Sequence, residues 1–131
     1  MNQKVLKTLE YNKIIHQLTG YAASAPGKLL CQNLLPMSDF HEIVQAQTET
    51  SDALTRVRMK GSLSLSGVRD VRDSLKRLEI GSSLSILELL SISSLLTVAA
   101  RAKTYGHHEE SDEFPDDSLD SMFRSLEPLT S

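Results

Sequence analysis

A chain of 131 residues is long enough for one domain with a modest core. Apolar residues make up 40% of it, but three Phe, three Tyr and no Trp mean that the core is built from Leu, Ile, Val and Ala. That composition favours helices packed on helices over a β-sandwich. The formal charge of −3 excludes a general attraction to nucleic acid or acidic membranes, and the single cysteine, Cys31, excludes an internal disulfide and a cysteine-based metal site.

Three short helices are predicted before residue 37, because apolar residues there recur at spacings of three and four. The apolar positions are Leu6 and Leu9 in the first helix and Ile14, Ile15, Leu18 and Tyr21 in the second. The second helix is predicted to end at Gly20 or shortly after. Ser24 is predicted to cap the third, with Pro26 in its first turn, where a missing N–H is tolerated, and Pro36 is predicted to stop it.

A long fourth helix is predicted to begin after Ser38, a favourable N-cap residue, and to run to about Lys60. Gly61 is the predicted C-cap, and Arg58 and Lys60 suit the negative end of the helix dipole. Residues 61–67 read as a loop, because glycine and serine dominate them.

The next helix is predicted from Val68 to Gly81, with Val68, Val71, Leu75 and Leu78 as a narrow apolar seam. An i,i+4 ion pair between Asp73 and Arg77 is expected on it. Ser85 and Glu88 form a predicted capping box for a further helix near Ile86 to Tyr105. That helix would be roughly 30 Å long. Because it is apolar on most sides, it is expected to be the central and most buried element.

Residues 106–117 are acidic and are predicted to form a flexible loop. Pro115 is then placed in the first turn of a last helix. Its apolar face would consist of Leu119, Met122, Phe123 and Leu126. The sequence therefore predicts an all-α fold: a bundle of about five to seven helices, forming a single helical domain over residues 1–131.

One cluster of charge suggests a binding surface. From Arg56 to Ile80, Lys and Arg outnumber Asp and Glu by seven to three. On a helix, Arg69, Arg72 and Lys76 would fall on one flank beside the apolar seam. The candidate phosphate-backbone contacts are Arg69, Arg72, Lys76, Arg56, Arg58 and Lys60. The alternative is a solvated helix face with internal ion pairs.

No catalytic or cofactor-binding motif is recognisable. Neither a GxxxxGK[ST] phosphate loop nor a GxSxG nucleophile elbow occurs, so no catalytic, cofactor-binding or metal-binding residue is assigned. His107 and His108, followed by acids, are the only hint of a metal site, and a flexible acidic loop is the preferred interpretation, because a metal ion requires ligands in a preset geometry. The segment Leu84 to Ala100 is interrupted by Glu88 and is short for a membrane span, so a cytoplasmic chain without a membrane partner is expected.

Several stretches resemble the N-terminal region of the MutS-two family, bacterial MutS-like proteins known as endonucleases. The opening VLKTLEYNKIIHQLTGYAAS is similar to the start of that family, and GKLLCQNLLPMSD to its next helix, proline stop and cap. Met59-Lys60-Gly61 and GVRDVR from Gly67, followed by Leu75-Lys76-Arg77 and Gly81, resemble its gly-x-arg-asp-ile-arg and leu-lys-arg block. The order and spacing hold over nearly all of residues 1–105.

The resemblance implies part of a dimeric ATPase of the MutS superfamily, with this region in its helical core and lever. It also implies an ATP- and magnesium-binding domain, a clamp and a C-terminal Smr endonuclease module elsewhere in a longer protein. The implied partners are the rest of that chain, a second copy, and DNA or the ribosome. The implied roles are suppression of homologous recombination through branched DNA, DNA repair, and quality control of collided ribosomes through ribosomal RNA. A stand-alone helical adaptor that binds a partner helix is the alternative.

Overall fold

The computed structural model describes residues 2–107 and 116–127, and in that part of the chain every regular element is an α-helix. The predicted all-α class is confirmed. The helices are α1 (Gln3–Thr8), α2 (Tyr11–Tyr21), α3 (Ala25–Gln32), α4 (Phe40–Lys60), α5 (Arg72–Glu79), α6 (Ile86–Gly106) and α7 (Asp120–Arg124).

The chain divides into two compact units, each built from two separate stretches. Unit 1 comprises Met1–Pro36 and Leu65–Leu95, and unit 2 comprises Met37–Ser64 and Leu96–Ser131. Unit 1 therefore contains α1, α2, α3, α5 and the first half of α6, and unit 2 contains α4, the second half of α6 and α7. The single domain over residues 1–131 stays a prediction.

The first three helices of unit 1 form at the predicted places. Ser24 caps α3 by accepting a hydrogen bond from the Gly27 N–H, and Pro26 lies in the first turn. The prediction that Pro36 stops α3 is wrong, because the helix ends at Gln32. The last turn of α3 is tighter than an α-helix, because the Leu34 N–H donates to the Cys31 carbonyl at 3.2 Å, and this turn ends the helix before Leu35, the only residue whose torsions Pro36 restricts.

Helix α4 of unit 2 has the predicted length but a different cap. The carboxylate of Asp39, and not the hydroxyl of Ser38, accepts the hydrogen bond from the Glu42 N–H at 3.0 Å. Asp and Ser are nearly equal as N-caps, so sequence alone did not separate the two neighbours. Gly61 is the C-cap, as predicted, with a φ of 81° that favours glycine.

Helix α5 begins at Arg72, so the predicted start at Val68 is wrong. The reason lies in Asp70, whose carboxylate accepts a hydrogen bond from the Arg72 N–H and offers the backbone an alternative to helix at this point. The expected pair of Asp73 with Arg77 is also replaced, since the Arg77 guanidinium pairs with Glu88. Glu88 in addition accepts a hydrogen bond from the Ser85 N–H, and the predicted capping box is confirmed.

The expectation that α6 is the most buried element is wrong for its first half. Ile86 and Leu87 are 77% and 76% exposed, and Leu89 and Leu90 are also exposed. Burial is confined to the second half, at Val98, Ala102 and Gly106. The first half of α6 has apolar side chains on most of its sides. The other described helices of unit 1 cover only part of that apolar surface, and the rest is exposed.

The predicted acidic loop over residues 106–117 is corrected at both ends. Gly106 is the buried last residue of α6, where the Phe123 side chain lies against it. Asp117 is held by Arg56. Residues 108–115, including Pro115 as the first turn of the last helix, lie outside the described residues, and α7 itself begins only at Asp120.

Candidate functional site

The most tightly held polar cluster lies in unit 2 and centres on Arg56. Its side chain is 2% exposed. The Nε and Nη2 atoms donate to the two carboxylate oxygens of Asp117 at 2.7 and 2.6 Å, and Nη2 also donates to Asp120 at 2.5 Å. This two-pronged geometry is the strongest that a guanidinium makes with a carboxylate. The cluster joins the middle of the chain to residues more than sixty positions later.

Neighbouring groups hold both carboxylates in place. The N–H groups of Leu119 and Asp117 donate to Asp117 and Asp120 respectively, each at 2.9 Å. One turn before Arg56 on α4, Asp52 accepts hydrogen bonds from the N–H and the hydroxyl of Ser118 at 2.9 and 2.6 Å. The segment from Asp117 to Asp120 is thereby fixed to one face of α4.

An aromatic ring completes the cluster. The Arg56 guanidinium carbon lies 4.8 Å from the centre of the Phe123 ring, within the range of a cation–π contact. Tyr105 packs against the same ring at 5.9 Å between ring centres, and its hydroxyl donates to the Gly61 carbonyl at 2.7 Å. Within unit 2, Arg56 therefore links α4 to α7, and the C-cap residue Gly61 links the end of α4 to α6.

The charges of the cluster stabilise each other. The hydrogen bonds from Arg56 are the largest cause that holds the pKa of Asp117 below its ordinary value. The same hydrogen bonds raise the pKa of Arg56 against the opposing effect of burial. Arg56 and Asp117 therefore keep their charges near neutral pH, so this ion pair is suited to holding structure and not to transferring protons.

The cluster changes the set of predicted phosphate contacts. Arg56 is buried and engaged by two carboxylates, so it is not a surface contact for a phosphate. Lys60 is half-buried, and its ammonium donates to the carbonyls of Tyr105 and His107 at 3.3 and 3.1 Å, where it satisfies the C-terminal end of α6. Arg58 is exposed on α4. In the sequence these three residues form one basic run, but of the three only Arg58 is exposed.

The other three predicted contacts lie in unit 1. Arg69, Arg72 and Lys76 are all exposed. Arg72 and Lys76 lie four residues apart on α5, whereas Arg69 precedes the helix, so the predicted helical flank of three cations is corrected to two plus a neighbouring loop residue. Arg72 is engaged by Asp70, with Nη2 2.6 Å from a carboxylate oxygen, which lowers the pKa of Asp70 to about 2. Asp70 therefore competes with any external anion for Arg72.

Within 2–107 and 116–127, no three His, Cys, Asp or Glu side chains are grouped so that they could hold a metal ion. His108 and the acids at 109–113 lie outside these ranges, so the metal hypothesis for that pair of histidines stays untested. Among the described helices, none is long and apolar enough to cross a membrane.

Comparison with known proteins gives one consistent result. The chain is 52% identical over 134 residues to a protein named Endonuclease MutS2 from Lachnoclostridium phytofermentans, covering 99% of this chain and 17% of that protein. Proteins of the same name from Agathobacter rectalis and Acetivibrio thermocellus are 47% and 39% identical, over 99% and 97% of this chain and 16% of each relative. The resemblance to MutS2 proteins is confirmed.

The match concerns a portion of those proteins. The chain spans about a sixth of the length of these MutS2 relatives, between 16% and 17%. No protein-family model matches the chain. What the chain shares with its relatives is thus one helical portion.

Proposed function

We propose that this chain is a structural segment of a dimeric MutS2-type ATPase of the cytoplasm, part of its helical core and lever. The observation that carries the proposal is the 52% identity over 99% of the chain with an Endonuclease MutS2. Binding of ATP and magnesium, the Smr endonuclease activity and homodimerisation belong to other parts of that protein in this proposal. The segment itself transmits movement and takes part in binding DNA or the ribosome.

The two long helices support the mechanical part of the proposal. Both α4 and α6 contain 21 residues, which corresponds to about 32 Å of helix each. The Arg56 cluster and the contacts of Tyr105 and Lys60 cross-link α4 to α6 and α7 within unit 2. A helix whose side chains are held by hydrogen bonds at several points along its length resists bending, as a lever requires.

The exposed cations of unit 1 support the binding part. Arg69 and Lys76 form no ion pair with any residue in the described part of the chain, and Arg72 lies between them in sequence. Neutralised phosphates contribute most of the affinity of a protein for a nucleic-acid backbone. No aromatic side chain lies within this short basic segment, so we expect it to follow a backbone and not to stack bases.

The test is charge reversal in a complete MutS2-type protein that contains these residues. Arg69→Glu with Lys76→Glu is compared with Lys4→Glu with Lys7→Glu, a control that changes the net charge equally and lies on α1. We expect the first variant to weaken binding to four-way-junction DNA or to ribosomes, and to reduce the slope of log affinity against log salt by about 1.8. The target whose binding changes is the one that this surface contacts. Equal binding by both variants to both targets would refute the role of the basic segment.

A further inference from the structure

A second surface of unit 1 has the features of a protein-docking site. A cleft of about 760 Å³ lies between α1, the first half of α2 and the segment that follows α3. Its apolar lining includes Leu6, Ile15, Leu34 and Leu35. Leu6 is buried at the contact of α1 with α2, whereas Leu34 and Leu35 remain exposed, Leu35 by 66%. The volume lies in the range of ordinary binding sites.

Specific local structure borders the cleft. Glu10, the residue between α1 and α2 that precedes the first residue of α2, has a φ of 56°, in the left-handed region that non-glycine residues rarely adopt. On the other wall, the Tyr11 hydroxyl donates to the Leu34 carbonyl at 2.7 Å. That hydrogen bond fixes the segment after α3 against the start of α2. A preformed cleft loses less entropy on binding than a flexible one.

The charged side chains that line the cleft are all positive. Lys4 and Lys7 line it, and no carboxylate does. Neither lysine forms an ion pair with a residue in the described ranges, and the nearest acid in sequence, Glu10, is taken by Lys13 at 2.7 Å. Because Lys4 and Lys7 are three residues apart on α1, they lie on the same side of that helix, about 5–6 Å apart at Cβ. Carboxylates one turn apart on another helix are separated by about 5.4 Å.

We propose that this cleft binds an acidic amphipathic helix of another protein. Apolar side chains of that helix pack over Ile15, Leu34 and Leu35, while two of its carboxylates, one turn apart, face Lys4 and Lys7. The pattern is the helix-in-groove mode of recognition, in which apolar anchors provide affinity and flanking charges select the partner. The proposal is independent of the proposed function, since it uses different residues and a different kind of partner.

The probe is a fluorescein-labelled, 18-residue helical peptide with leucines at i, i+4 and i+7 and glutamates on both flanks. A matched peptide carries lysines in place of the glutamates. Fluorescence anisotropy with the 131-residue chain is expected to show at least tenfold tighter binding of the glutamate peptide, with the preference decreasing as salt is raised. Equal affinity for the two peptides, or no binding of the glutamate peptide, would overturn the proposal.

Variants locate the binding and separate it from the basic segment. The variant Lys4→Glu with Lys7→Glu is expected to bind the glutamate peptide at least tenfold more weakly than the unaltered chain does. The same variant is expected to bind the lysine peptide more tightly than the unaltered chain does. Arg69→Glu with Lys76→Glu, the reciprocal control, should alter neither affinity more than twofold. Circular dichroism establishes that both variants are folded. Loss of binding in the control alone would contradict the assignment.

Sedimentation equilibrium tests the competing occupant, a second copy of this chain. We expect Lys4→Glu with Lys7→Glu to leave the association state unchanged. If the unaltered chain forms dimers that this variant dissociates, the cleft is a self-association surface and the proposal is wrong.

Discussion

Replacement of Arg56 by methionine is the most direct test of what holds unit 2 together. The substitution keeps an apolar stem of similar length and removes the guanidinium. Three charged hydrogen bonds of 2.5–2.7 Å are lost, together with the contact to the Phe123 ring. Asp117, whose side chain is 15% exposed, is left without its counterion, and Asp120, 7% exposed, keeps the more distant Arg124 guanidinium at 3.9 Å.

The expected cost follows from that burial. Removal of one partner from a buried ion pair costs about 3–5 kcal/mol, chiefly because the remaining charge is uncompensated. Here both carboxylates keep a backbone donor at 2.9 Å, from Leu119 and Asp117. We therefore expect the lower part of the range, about 3 kcal/mol. A domain whose total stability is about 5–15 kcal/mol would lose a large fraction of it.

The assay is amide hydrogen exchange, which reports α4 and α7 separately from α2 and α3, with urea unfolding followed by circular dichroism. Arg58→Met is the matched control, since Arg58 is exposed on the same helix, and it should change the unfolding free energy by less than about 0.5 kcal/mol. Adding Asp117→Asn and Asp120→Asn to Arg56→Met should recover more than half of the loss, because no buried charge then remains. A loss below about 1 kcal/mol in Arg56→Met would refute the reasoning.

Three further predictions concern single positions. A Cβ at Gly106 would overlap the Phe123 side chain, so Gly106→Ala should cost about 1–3 kcal/mol. The matched control is Gly20→Ala, at a helical position with open space around it, which should stabilise the folded chain by about 0.5–1 kcal/mol. If thermal unfolding shows the same change for Gly106→Ala as for Gly20→Ala, the overlap with Phe123 is not what makes Gly106 necessary. Ser85→Ala should cost about 1 kcal/mol in urea unfolding through loss of the capping box, and an unchanged midpoint would argue against the box. Because the folded-state pKa of Asp117 is lowered, its contribution is present above the unfolded pKa of about 3.9 and is lost as the pH falls through the folded value. The urea midpoint should therefore fall more steeply below about pH 4 in the unaltered chain than in Asp117→Asn, and parallel curves would contradict this.

Local features were predictable because each depends on residues a few positions apart. The Ser24 cap, the capping box of Ser85 with Glu88 and the Gly61 C-cap are all present. Predictions failed where two local solutions compete. Asp39 replaces its neighbour Ser38 as a cap, and the Asp70 carboxylate delays the start of α5 by four residues beyond the predicted Val68.

The candidate sites depended more strongly on distant residues. Sequence proximity groups Arg56 with Arg58 and Lys60, since all three are basic, although Arg56 is buried and Lys60 donates to carbonyls at the end of α6. The only local hint was Asp52, one helical turn before Arg56, which is itself engaged by Ser118. Sequence spacing does not reveal a carboxylate 61 positions away.

The sequence alone determined the helical class, most of the helix ends and the kinship with MutS2 proteins, since these rest on periodicity, capping chemistry and residue order. Tertiary structure decided which charges are buried and which apolar faces are left exposed. Burial depends on contacts between segments far apart in the chain. An arginine on a helix is therefore a surface cation, or a partner in a buried ion pair, depending on whether another segment packs over it. That difference separates Arg56 from Arg58, two positions apart on one helix.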